Sequence, residues 1–489
     1  MGLRKRYVLF VSARQVGSGS PVKPQSLPPP GAWVPAQQAV ALIAKPLEQF
    51  LRIQAASGIV LLVCAVAAML WANSPWQASY FALWHTHVHL SLGPIHFERD
   101  LHFVINDILM VLFFFVVGLE IRREIYQGEL SELRRASLPA AAALGGMIAP
   151  AVIYTALNHG GPGAGGWGVP MATDIAFAVG ILALLGRRVP AALRVLLLAL
   201  AIIDDIGAIL VIALFYSTGG DYVGGLSVVG AGVLGVLLLQ RVGVRSPWAY
   251  AIPGFVVWLG FLDAGIHPTI AGVLLGLMAP VRSWFGETGF IDEAEAALDD
   301  FRATAARSDH NEHDLVHALD RIEKARTEAL PPVIRLEEAL NPWVAFGIMP
   351  LFALANAGVT VGSVDLGAPG ASAVALGVAV GLALGKPLGI VGLSYLAVVT
   401  GLSKLPRGVD FRGLLVVGLL GGIGFTMALF IGQLAFAEPA SLSIAKLAVL
   451  VASAAAGIVG LAAGWLALPR HIPEGVAVSV DLAERSTNL

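Results

Sequence analysis

Five residues have the types and positions to do chemistry where charge is scarce: Asp204, Asp205, Asp174, Thr173 and Lys386. Asp204 and Asp205 stand side by side in the middle of the apolar run LLLALAIIDDIGAILVIALF, residues 196–215. About 20 residues at ~1.5 Å each match the ~30 Å hydrocarbon core of a bilayer. A charge at that depth costs on the order of 3 kcal/mol on insertion scales, so an intramembrane acid is a functional candidate by default. A soluble core helix with two surface aspartates would need a polar face, and Ile202, Ile203, Ile206 and Ile209 surround the pair instead. Neighbouring helical residues point about 100° apart. One carboxylate can therefore line a pathway while the other finds a separate partner.

Asp174 is the second intramembrane acid, in GWGVPMATDIAFAVG, with Thr173 just before it and Gly166, Gly168 and Pro170 at the start of the segment. Glycine and proline inside an apolar run predict an unwound stretch, which a bilayer tolerates only where protein or a cavity surrounds it. GLLGGIGFTMALFIG carries a similar interruption, with Gly421, Gly422, Gly424 and Thr426. Broken helices in corresponding halves point to a transport site at mid-membrane, although glycines also permit close helix packing alone. Lys386, in GLALGKPLGI, has Asp204 and Asp174 as candidate counter-ions, and pairing with one aspartate would leave Asp205 free. The lysine is either a member of the site or a purely structural partner.

A carboxyl withdrawn from water resists ionisation. It can hold a proton in acid and release it in alkali. Once ionised, with hydroxyl and carbonyl oxygens beside it, it suits a hard cation such as Na+ or Li+. Competition of H+ and cation for one site is enough for exchange if the site faces each side in turn. No GxxxxGK[ST] motif is present to bind ATP.

The elements that must position these groups follow from composition. The 489 residues are 57% hydrophobic and 13% charged, against about 25% charged in a soluble domain. Mean hydropathy is +0.77. This predicts an all-α polytopic membrane protein, not a barrel of short alternating strands. A net charge of −2 offers no reason to expect a nucleic-acid partner, and the single cysteine, Cys64, can form no internal disulfide.

About twelve apolar segments are expected, near 52–72, 101–121, 137–157, 167–186, 191–216, 222–240, 248–262, 266–284, 340–360, 371–399, 411–436 and 441–467. Basic residues collect on alternate loops: Arg122, Arg123, Arg134 and Arg135, then Arg187 and Arg188, Arg241 and Arg245, and Lys404, Arg407 and Arg412. The opposite loops are nearly bare, with Arg99 and Lys446 as exceptions. The positive-inside rule then puts both termini in the cytoplasm. The expected order is a disordered cytoplasmic tail 1–48, helices one to eight over 49–285, a hydrophilic cytoplasmic insert 286–335, helices nine to twelve over 336–467, and a cytoplasmic tail 468–489. In the insert, 292–305 and 312–329 look helical, with Leu315, Leu319 and Ile322 on one face. It is either regulatory or simply a solvated appendage. His85, His87 and His89 alternate in a stretch at the outer surface, where no cysteine or carboxylate cluster completes a metal site.

The motifs INDILMVLFFFVVGLEIRREI, ATDIAFAVG, LALAIIDDIGAI, NPWVAFGIMPLFALANAG, GKPLGI and GGIGFTMALFIG, which follow one another in the family's order, resemble the NhaA-type Na+/H+ antiporters from about residue 50 to 465. The resemblance implies twelve transmembrane helices with inverted repeats, helices four and eleven unwound and crossing near Asp174, Thr173 and Gly422–Gly424. It implies that Asp205 is the principal carrier of Na+ and H+, with Asp204 its partner, paired with or competing for Lys386. Asp174 would balance the positive ends of the crossed half-helices. Electrogenic exchange, activated at alkaline pH, in a bacterial inner membrane and without enzymatic activity or a cofactor, belongs to the same expectation. Na+, Li+, H+ and the lipid bilayer are the partners, and a homodimer stands as the candidate assembly.

Accessory positions of the family match Asp107, Glu120, Arg123, Glu124, His267 and Glu337. The region of Glu337 is tied to pH response in that family, whereas here RLEEALNPW carries Glu338 and Asn341 where histidines often stand. His267 also reads as a helix-end packing residue, and Glu120 with Arg122 and Arg123 as an interfacial ion cluster. A Na+-coupled solute symporter of related fold is the alternative. An intramembrane aspartyl protease would carry YD and GxGD motifs, which are missing around Asp174 and Asp204.

Overall fold

The computed structural model describes residues 56–92, 95–217, 219–306, 312–365 and 367–469. The tails expected at 1–48 and, beyond Pro469, at the C-terminus lie outside the described residues. The chain is mostly helical. In order it forms α1 (Ala56–Ala72), α2 (Gln77–Trp84), α3 (Leu101–Gln127) and α4 (Leu133–Leu157). A 3-10 turn, Ala164–Met171, leads to α5 (Ile175–Leu184), followed by α6 (Ala191–Phe215), α7 (Tyr222–Val242), α8 (Ala251–Asp263) and α9 (Thr269–Leu277). After α10 (Gly286–Ala305) and α11 (Glu312–Ala329) come α12 (Pro332–Asn356), α13 (Ala371–Val399), α14 (Phe411–Gly421), α15 (Phe425–Ala435) and α16 (Pro439–Ala467).

Eight of these helices are long and apolar enough to cross a membrane, and ten if the bent pairs α1 with α2 and α14 with α15 each count as one span. At 25 residues α6 is roughly 37 Å long, more than a bilayer core needs. It is also central: 61% of its most apolar stretch is buried against protein, compared with 22% for α7. Leu214, Val223, Ile252 and Leu466 are more than two-thirds exposed on the outside, the apolar exterior a lipid solvent requires.

The main core joins α1, α3, α4, α5, α6, α12, α13, α14, α15 and α16, while Val229, Val257, Phe261 and Ala271 form a smaller cluster between α7, α8 and α9. Without a hydrophobic force between helices in lipid, association depends on close packing of small residues. Gly145 of α4 and Gly389 of α13 show this: a Cβ on either would fall 2.0 Å from the other's carbonyl oxygen. That contact brings α13, and Lys386 with it, against α4.

Two features depart from expectation. The stretch before α3 is a β-hairpin, β1 (His87–Leu92) antiparallel to β2 (Ile95–Asp100), with His87 opposite Asp100 and Leu92 opposite Ile95. The alternation HVHLSL followed by Gly93-Pro94 is a strand-and-turn signal that an all-α reading passed over. His87 and His89 are exposed on it, His89 lies 3.6 Å from Glu98, and the described residues contain no group of three or more His, Cys, Asp or Glu able to hold a metal ion.

In the insert, α10 and α11 are joined by Arg321, which donates to Glu293 at 2.8 Å and to Asp300 at 2.7 Å. The face expected from Leu315, Leu319 and Ile322 is shifted: Ala318 and Ala325 are buried, as is Ala297 of α10, whereas Leu319 is 51% exposed. Alanine lets two helices approach closely, so the smaller side chains take the seam. Glu328 ties the insert back to Arg245 by an ion pair, and the Arg245 guanidinium lies 4.3 Å from the centre of the Trp284 ring.

Substitution Gly389→Val should cost about 3 kcal/mol or more, because the atom it strikes is backbone and cannot rotate away. Gly347→Ala, where an added Cβ meets nothing within 4 Å, should be silent. Monodispersity and melting temperature in detergent separate the two.

Candidate functional site

Two interruptions create the site. Between the 3-10 turn and α5 the backbone is extended at Ala172 and Asp174, and between α14 and α15 the axis bends by 46° at Gly422–Gly424. The breaks touch: Asp174 N donates to Ile423 O at 2.7 Å, and Thr173 Oγ1 lies 3.0 Å from Gly421 O. Each segment uses the other's exposed backbone, as buried peptide groups must be satisfied.

Asp174 serves both helix starts. Its Oδ1 accepts from Phe177 N at 3.0 Å, capping α5, and its Oδ2 accepts from Thr426 N at 3.2 Å and from the Thr426 hydroxyl, in the first turn of α15. A carboxylate at a helix N-terminus gains both the orphan N–H donors and the positive end of the dipole. Asp174 and Thr426 are 1% and 0% exposed.

The second group forms on α6 and α13. Lys386 Nζ donates to Asp204 Oδ2 at 2.6 Å and also to the Thr173 hydroxyl. Thr173 Oγ1 lies 2.7 Å from the same Asp204 oxygen. A hydroxyl has one proton to give, so Thr173 accepts from Lys386 and donates to either Asp204 or Gly421 O. Thr173, Asp204 and Lys386 are all buried.

Asp205, one residue on, is buried too, yet it has no hydrogen bond or ion pair among the described residues, and its Oδ1 is a buried oxygen without a partner. Asp204 Oδ1 is likewise unpartnered. Buried polar atoms are normally satisfied. The turn of about 100° per residue separates the roles: one face of α6 presents Asp204 to the lysine, the next presents a vacant carboxyl.

The remaining sequence candidates lie apart from this cluster. Asp107 sits in a π-helical stretch of α3, Val104–Leu109, with its Oδ1 3.6 Å from His267 Nε2. His267 is held by Thr269 at 2.8 Å and meets the Phe430 ring edge-on. Near the other end of α3, Arg123 pairs with Glu337 at 2.5 Å and with Glu124 at 3.7 Å, while half-buried Glu120 makes no ion pair among the described residues. Sequence reasoning did not assign Thr426, whose only signal is its place in the glycine-rich break. It also missed a buried amide network: Asn356 Nδ2 donates to Asn106 Oδ1 at 2.8 Å, and Asn356 Oδ1 takes His102 Nε2 at 3.0 Å and Gln433 Nε2.

Interrupted helices meeting at a buried charge cluster, within a bundle of membrane-crossing helices, define a multi-pass α-helical membrane protein. Residues 48–463 match the family described as Na+/H+ antiporter 1. The chain is 61% identical over 459 residues to the Na(+)/H(+) antiporter NhaA 2 of Sorangium cellulosum, covering 94% of this chain and 98% of the relative. It is 57% identical over 465 residues to the Na(+)/H(+) antiporter NhaA 2 of Myxococcus xanthus, with 95% and 98% covered. With the Na(+)/H(+) antiporter NhaA of Janthinobacterium sp. it shares 53% identity over 445 residues, 91% and 98% of the two chains. The chain belongs to the NhaA-type Na+/H+ antiporter family.

The partners of the two adjacent aspartates predict opposite stabilities. Asp204→Ala strands the buried Lys386 charge and should cost about 3–5 kcal/mol. Asp205→Asn breaks no contact and should stay within about 1 kcal/mol of wild type. Thermal unfolding of both variants in the same detergent checks the order.

Proposed function

We propose that this protein exchanges Na+ for H+ across a membrane, with Asp205 as the carrier of both. The observation that carries the reading is the buried Asp205 carboxyl with a partnerless oxygen, next to an aspartate already neutralised by Lys386. Family membership and the three named relatives support the same reaction. The visible polar groups, a few carboxylates, one lysine and small hydroxyls, suit a small cation better than an organic solute.

In this reading the ionised Asp205 carboxylate takes Na+, or Li+, from the cytoplasm and releases it outside when a proton replaces it. The protonated carboxyl returns and gives its proton to the cytoplasm. Asp204 is the second oxygen donor, Thr173 and the carbonyls at the breaks are neutral donors, and Lys386 holds Asp204 in place. Asp174 keeps the two half-helix starts together. Asp205 alone carries one proton per Na+, so electrogenic exchange, with more protons entering than Na+ leaving, needs a second proton carrier, for which the adjacent Lys386–Asp204 pair is the candidate.

The finer architecture belongs to the same proposal: twelve membrane crossings with inverted repeats, α5 and α15 as second halves of two crossed, unwound spans, and α8 and α9 as short crossings. The tails and the 286–335 insert are cytoplasmic in this scheme, in a bacterial inner membrane, and a homodimer is the proposed assembly. The Arg123–Glu337 pair with Glu120 would line the cytoplasmic mouth, and Asp107 with His267 the opposite one.

Competition sets the sign of the pH dependence. While the site holds a proton, Na+ must displace it, so the half-saturating Na+ concentration should rise by up to about tenfold per pH unit on acidification and level off in alkali. Inside-out vesicles with a respiration-acidified interior and a pH-sensitive dye test this at pH 7 and 8.5. Proton efflux should follow Na+ or Li+ but not K+, be stronger at pH 8.5, and vanish in inserted Asp205→Asn. Normal exchange in that variant would remove Asp205 from the mechanism, and silence toward every cation in wild type would favour a solute symporter. Lys386→Ala should shift the pH profile.

A further inference from the structure

The start of α15 lacks a cap of its own. Its N-cap is Gly424, with no side chain to accept the orphan N–H groups of the first turn. Some helices here carry a side-chain cap of their own: Asp410 accepts from Gly413 N at 2.8 Å for α14, Asp221 from Gly224 N at 3.0 Å for α7, and Asp174 from Phe177 N for α5. At α15 the work is done by other elements. Asp174 takes the N–H of Thr426, and Ser453 Oγ, on α16, accepts from Phe425 N at 3.0 Å. Ser453 is 3% exposed. A buried N–H without a partner is costly, so this oxygen holds the first residue of α15 to α16.

The contact is built into the packing. Ala456 and Gly457 of α16 leave room for the break: a Cβ on Gly422 would sit 3.4 Å from Ala456 Cβ, and one on Gly457 would lie 2.7 Å from Ile181 Cδ1 and 3.8 Å from Ile423 Cδ1. The Phe425 ring packs on Phe177 of α5 at 5.5 Å. Phe425 is thus held by α16 through its amide and by α5 through its ring, one residue before Thr426, which binds Asp174.

We propose that Ser453 is a positioning residue for the ion site: through the Phe425 amide it sets where α15 starts, and hence where Thr426 holds Asp174 and where the carbonyls of Gly421 and Ile423 lie. It touches no transported ion. This rests on the exchange reading above, because the effect is read as cation affinity. It makes α16 a third holder of the crossing beside the two broken segments.

The test is Ser453→Ala against Ser453→Thr, which keeps the oxygen, in the vesicle assay with Na+ titrated at pH 8.5. Ser453→Ala should raise the half-saturating Na+ concentration about fivefold, the worth of one net hydrogen bond, while the maximal rate stays within about twofold. Ser453→Thr should restore wild-type affinity. In detergent, hydrogen–deuterium exchange of the peptide spanning residues 423–428 should quicken in Ser453→Ala alone. An unchanged half-saturation in inserted Ser453→Ala would overturn the proposal whatever the deuterium exchange shows, as would an inserted Ser453→Thr behaving like Ser453→Ala. If Ser453→Ala does not insert, Ser453→Cys, a weaker acceptor of similar size, should raise the half-saturating Na+ concentration above that of Ser453→Thr, and wild-type affinity there would also overturn it. A wild type that moves no protons with Na+ defeats the exchange reading instead, and the deuterium measurement then still decides the Ser453 contact.

Discussion

A buried charge must have its counter-charge, and that constraint organises this molecule around the Lys386–Asp204 pair. Both groups are essentially without water, 2.6 Å apart, and 182 positions distant in the chain. Desolvating an ion costs several kcal/mol, and only close geometry with further hydrogen bonds compensates. Thr173 supplies one such bond, and the Gly145–Gly389 contact brings α13 close enough for the lysine to reach. Because the lysine is committed to Asp204, the neighbouring Asp205 is left with no hydrogen-bond partner among the described residues. A vacant carboxyl beside a satisfied one is the physical asymmetry on which the proposed exchange rests.

The second constraint is backbone satisfaction. Interrupting a helix in a low-dielectric setting exposes N–H and C=O groups that no water will pair. Here the two interruptions answer each other, with Asp174 N on Ile423 O, Thr173 on Gly421 O and the Asp174 carboxylate on both helix starts. One aspartate thereby does for two helices what a capping residue usually does for one. The arrangement also places Gly421 O 3.0 Å from the Thr173 hydroxyl, which itself meets Lys386 and Asp204.

The helix α3 connects the periphery to this centre. Asp107 and Arg123 are 16 positions apart on it, roughly 24 Å along the axis, each meeting a partner from another element, His267 and Glu337. Phe114, between them, packs on Phe430, whose ring also meets Phe352 and His267. An aromatic layer therefore lies on the His267 side of α15, with Asn356, Asn106, His102 and Gln433 hydrogen-bonded at the ends of the same helices.

Much of this was legible in the sequence, because lipid imposes strong local rules. Apolar runs of bilayer length locate the long helices, and acids within them mark Asp174, Asp204 and Asp205 before any contact is known. Glycine and proline in the two interrupted segments marked where the helices break. The β-hairpin was readable from its alternation, and was missed only because the surrounding sequence is helical. Which partner each charge takes was not legible: Lys386 had two candidate aspartates, and α6 offers its adjacent acids to different neighbours. The seam of the insert likewise went to Ala318 and Ala325, not to Leu319. Periodicity and hydropathy are properties of a few turns of chain, whereas ion pairing, trans-capping by Ser453 and the burial of one helix face depend on which distant segments are packed side by side. That is decided only when the helices assemble.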